Sequence, residues 1–135
     1  MKNVLLILLV TLFLTTSAFA ARAPSTFSMG SSLLAASSSP GNAYVAGVSV
    51  VLTAPVAGDF SAGGGSVITV APIMGDALLI AGSVQVRAPV AGDLRAAGGN
   101  IVIEKPVAGD ITAAGFSVTS SGRAGGNVFI VAANA

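Results

Sequence analysis

The sequence has no cysteine, no histidine and no tryptophan, and only 8% of its residues are charged. Without cysteine, no disulfide framework can hold an exported domain together, and a lipid anchor on a cysteine is excluded. Without histidine, the rows of serine in this chain lack the usual base that activates a nucleophile. Of the two lysines, Lys2 lies in the leader and Lys105 stands alone. The expectation is therefore a protein that is not an enzyme and uses neither cofactor nor metal. Six basic residues are offset by five acidic ones. Once Lys2 is set aside with the leader, Arg22, Arg87, Arg95, Lys105 and Arg123 balance Asp59, Asp76, Asp93, Glu104 and Asp110. Scattered, balanced charge offers no footprint for nucleic acid or anionic lipid, and no nucleotide-binding motif is present.

The leader is MKNVLLILLVTLFLTTSAFA, residues 1–20. A basic start, an apolar run and small residues at Ala18 and Ala20 give a secretory signal cleaved after Ala20. Its apolar segment is shorter than the roughly 20 residues that span a bilayer. The chain is accordingly expected in the periplasm, the cell envelope or at the cell surface. Residues 21–37, rich in Ser and Ala and without period, read as a flexible tail in which Leu33 and Leu34 can cover the first coil.

From residue 38 onward the chain repeats every 17 residues without a gap. The four clearest copies begin at Pro55, Pro72, Pro89 and Pro106, with degenerate copies on either side. One column is Gly41, Gly58, Gly75, Gly92, Gly109 and Gly126; the next is Asn42, Asp59, Asp76, Asp93, Asp110 and Asn127. A third runs Ser49, Ser66, Ser83, Asn100, Ser117 and Asn134. Between them apolar residues alternate, the mark of short strands joined by tight turns. Seventeen residues are too few for a helical hairpin but suffice for three short strands and three corners. Stacked at about 4.8 Å per turn, such units make a solenoid. The fold expected is all-β: a single-domain β-helix of about six coils and triangular section over residues 38–135.

Three columns should point inward: Val56, Ile73, Val90 and Val107; Phe60, Leu94, Ile111 and Val128; Val67, Val84, Ile101 and Val118. With Ala62, Ala96 and Ala113 beside them, the core is too narrow for a ligand. The turn ladder of Gly58, Asp59, Gly75, Asp76, Gly92, Asp93, Gly109 and Asp110 reads as structure: Gly supplies positive φ and Asp bonds local backbone N–H groups. One Asp per coil is too few for the several oxygens that calcium needs. The prolines preset corners where no N–H is required, and the Ser/Asn column reads as a hydrogen-bonded stack or a row of turns.

The repeated PVAGD-x-x-AAG-x-x-V-x-I at 89–103 and 106–118 resembles the bactofilins, small bacterial β-helical proteins that polymerise into filaments without nucleotide. The resemblance implies a right-handed helix between disordered tails and a filament-forming scaffold. Bactofilins lie in the cytoplasm, whereas this chain carries an export signal. The expected function is a structural, self-assembling protein of the envelope or surface. It would join copy to copy end to end, through Val128, Phe129 and Ile130 at one end and Tyr44 and Val45 at the other. An envelope component is a possible further partner. The alternative is an exported β-helical module for binding or adhesion.

Overall fold

Each 17-residue repeat lays down one ten-residue strand, and the strands stack in chain order. The computed structural model describes residues 24–35 and 37–134; the expected signal at 1–20, the first tail residues at 21–23, and Ala135 lie outside the described residues. The strands are β1 (Thr26–Ala35), β2 (Ala43–Leu52), β3 (Phe60–Thr69), β4 (Ala77–Val86), β5 (Leu94–Ile103), β6 (Ile111–Ser120) and β7 (Val128–Asn134). They form one sheet in the order β1 to β7, every pair parallel. Each residue pairs with the one 17 positions on: Tyr44 with Ser61, then Leu78, Arg95, Thr112 and Phe129. Parallel strands in sequential order at a constant offset are a β-solenoid, here of about six turns.

Pairing within a strand is interrupted once per turn. Gly47 pairs with Gly64 and Ser49 with Ser66, but Val48 and Gly65 are skipped, and the same gap recurs at Gly82, Gly99 and Phe116. The strand bends there, with five paired residues before the corner and four after it. A third bonded side is a single bridge per turn, running Ser39, Val56, Ile73, Val90, Val107 and Ala124. The expected three short strands are thus one bent strand and one bridge. Proline before the bridge has no N–H to extend a ladder, and the Gly-Asp turn follows two residues after it.

The three inward columns are buried as expected, from Val56 to Val107, Phe60 to Ile111 and Val67 to Val118. A fourth, Leu52, Thr69, Val86 and Ile103, was not anticipated and is equally buried. Within a turn, large and small residues compensate. Phe60 faces inward with Ala62, Ala77 with Leu79, Leu94 with Ala96, and Ile111 with Ala113. One large side chain and one alanine per turn keep the filled volume nearly constant, as a close-packed interior demands.

The expectation of a flexible tail over 21–37 is corrected by β1 at Thr26–Ala35. Thr26–Ala35 pairs in register with β2, Ser32 opposite Ser49 and Leu33 opposite Val50. Leu33 packs on the core, whereas Leu34 is exposed. The signal was present in the sequence: SLLA at 32–35 falls 17 residues before SVVL at 49–52, but the Ser-rich surroundings and the lack of a Gly-Asp turn hid it.

Candidate self-association site and the turn ladder

At the turn, the ladder residues line up but hold together differently from the expectation. None of the turn glycines has positive φ; among the described residues only Gly64 does, at 159°, close to fully extended. Their requirement is close stacking instead. A Cβ on Gly92 would lie 2.7 Å from the carbonyl oxygen of Gly75 and would overlap Asp76 Oδ1; Gly75 and Gly109 meet the same obstacle from the turn beneath. The carboxylates bond between turns, not locally. Asp76 N–H donates to Asp59 Oδ1, Asp93 N–H to Asp76 Oδ1 and Asp110 N–H to Asp93 Oδ1, each at 2.8 Å. The series begins with Asp59 N–H on Asn42 Oδ1 at 2.9 Å and closes with Asn127 N–H on Asp110 Oδ1 at 2.7 Å. Beside it the glycines bond backbone to backbone, Gly75 N–H to Gly58 O and Gly92 N–H to Gly75 O. Gly and Asp therefore form one device: the absent Cβ opens the space that the carboxylate of the turn below fills. The Ser/Asn column is also in register, yet the side-chain bonds along the stack run through the Asp column.

At the β7 end, the apolar column is left uncovered. Val128 is 54% exposed, although the five residues stacked before it, Ala43, Phe60, Ala77, Leu94 and Ile111, are each at 5% or less. Ile130 is partly buried against the core, and Phe129 projects outward at 63% exposure. Unlike the interior turns, β7 carries two large inward residues and no compensating alanine at those positions. Among the described residues, β7 is bonded on one side only.

The other end differs from the expectation. Val45 is 6% exposed because Ser28 of β1 lies over it, and Tyr44 is covered on one side by Phe27. These two residues are therefore the second rung and not the end face. The first rung, β1, directs Thr26 and Ser28 inward over Ala43 and Val45, where every later rung is apolar. Thr26 Oγ1 lies 3.2 Å from Ser39 Oγ. Among the described residues β1 is the first rung, and a polar first rung suits a cap. The turn column changes there too, since Pro24 and Ser25 occupy the places of Gly and Asp.

On the outward side of the first rungs, Phe27, Tyr44, Leu78 and Ile80 border a depression whose floor includes Ser61 and Gly63. Asn42 Nδ2 donates to the Tyr44 hydroxyl at 3.4 Å. The ion pair Arg87 Nε to Glu104 Oε2, 3.6 Å, is half-exposed and contributes little. No protein-family model matches the chain, and neither a curated protein nor a solved structure is detectably similar to it.

Proposed function

We propose that this protein is a structural, self-associating β-solenoid that builds filaments or scaffold in the cell envelope or at the cell surface, in the manner of the bactofilins it resembles. The observation that supports this reading is Val128, 54% exposed in a column buried from Ala43 to Ile111, on a strand paired on one side only among the described residues. An edge strand with an apolar inward face is a template for another chain. An end face of about 400 Å² per partner falls below the roughly 800 Å² of a standard stable interface, so assembly depends on concentration or confinement. The function is mechanical and needs no catalytic group. The test is sedimentation and negative-stain microscopy of the purified protein over a concentration series. Wild type assembles into unbranched filaments. Val128→Arg does not, because at a position 54% exposed in the monomer its charge is solvated there and desolvated only in the contact. Dispersed wild-type monomers at high concentration overturn the reading.

The exposed apolar border of Phe27, Tyr44, Leu78 and Ile80 favours a second reading, an exported binding or adhesion module. Retention of monomers on isolated envelope material, lost in Leu78→Asp, would support it.

A further inference from the structure

Among the described residues, the turn ladder leaves one residue whose side chain accepts no N–H, on the last turn, and one backbone N–H without an acceptor, on the first. The side-chain oxygen of Asn127 receives no bond among the described residues, although each ladder residue before it accepts the N–H of the next turn. The backbone N–H of Asn42 likewise finds no acceptor among the described residues, because the place below it belongs to Ser25, which supplies none. The break coincides with the polar half of β1. Thr26 and Ser28 face inward there, whereas the half beyond the corner is anchored by Leu33.

We propose that the Thr26–Gly30 half of β1 is a displaceable cap, and that β7 of a second copy takes its place on the edge of β2. This rests on the self-association proposed above and specifies its joint. In the phase of the 17-residue repeat, Val128 falls opposite Ala43, Phe129 opposite Tyr44, Ile130 opposite Val45 and Val131 opposite Ala46, the places that Thr26 to Met29 vacate. Asn42 N–H then meets Asn127 Oδ1, as Asp59 N–H meets Asn42 Oδ1 within one chain. Gly41 N–H meets Gly126 O, as Gly58 N–H meets Gly41 O at 3.1 Å. The exchange swaps two hydroxyl side chains over Ala43 and Val45 for Val128 and Ile130, and it buries the column that β7 leaves open. It joins unlike ends, a heterologous contact that repeats without closing when the rotation does not form a ring. The cap competes because Ser31 ties it to the anchored half of β1, and so it acts at high effective concentration. Assembly therefore starts only when copies are crowded.

Strengthening the cap should oppose assembly. Ser28→Val adds apolar contact to the inward face of β1 and does not disturb the remaining turns; the expected effect is about a tenfold rise in the concentration for half-assembly. If copies instead joined through the outer edge of β1, Ser28→Val would leave that concentration unchanged or lower it, which overturns the proposal. Paired cysteines in this cysteine-free chain locate the joint. With a short bis-maleimide, Tyr44→Cys combined with Phe129→Cys should give a ladder of linked multimers, and Phe27→Cys combined with Phe129→Cys should not. The reverse pattern, with assembly intact, overturns the exchange while leaving self-association standing. Absence of assembly in wild type at any concentration removes both.

Discussion

Of the two buried polar residues among those described, Ser39 donates to the Gly41 carbonyl, whereas Thr69 is left without a partner. It sits fully buried in a column with Leu52, Val86 and Ile103, and its Oγ1 has no hydrogen-bond partner among the described residues. A buried hydroxyl left unpaired costs about 1–3 kcal/mol. Thr69→Val should raise the stability to urea by about 1 kcal/mol. At the turn, Asp93 is the acceptor for Asp110 N–H. Asp93→Ala removes that bond and should cost about 1 kcal/mol. Asp93→Asn keeps an oxygen in place and removes repulsion between carboxylates about 5 Å apart, which is about 1 kcal/mol in water. It should therefore lie near wild type. Urea unfolding of the three variants, compared at constant m-value, separates the acceptor from the charge.

Within a single turn, which way a side chain points decides what a substitution does. Val90 is the bridge residue on the proline side, 1% exposed, while Arg95 points out from β5. Val90→Asp buries an unpaired carboxylate and should cost about 3 kcal/mol or more; Arg95→Glu should change stability by less than about 0.5 kcal/mol. Thermal and urea unfolding would show this contrast, and equal damage from the two would contradict the inward and outward assignment. The same alternation explains why large and small residues exchange places between Phe60/Ala62 and Ala77/Leu79 without altering the turn.

For the whole molecule, stability comes from nearest-neighbour stacking of turns, so the ends control what the solenoid does. Val128→Arg should abolish assembly with little loss of fold, because the side chain it replaces is 54% exposed, as read by sedimentation together with circular dichroism. The Asp column acts through hydrogen bonds to backbone N–H groups and presents one carboxylate per turn. Thermal unfolding should therefore be the same in chelator and in millimolar calcium, because six to eight oxygen ligands are not assembled at any turn among the described residues. A calcium-dependent rise in Tm would show that the ladder has a second role.

The period of 17 and the alternation within it were legible from residues alone, because every turn solves the same local problem with the same residue types. Gly at one column and Asp at the next dictate stacking, and alternating Val, Ile, Leu and Ala dictate a buried side. That was enough for the solenoid, its number of turns and three of its inward columns. The reason for the turn ladder was not legible. Gly-Asp is also the sequence of a turn with positive φ, and only the stacked structure shows that the glycine makes room for the carboxylate 16 residues earlier, on the turn below. Nor was β1 legible as a strand: SLLA at 32–35 keeps the phase of SVVL at 49–52, but the Ser and Gly of β1 carry little strand signal of their own. Its pairing is decided by the edge that β2 offers, and a strand formed by its neighbour's unmet hydrogen bonds leaves only a faint trace in its own residues.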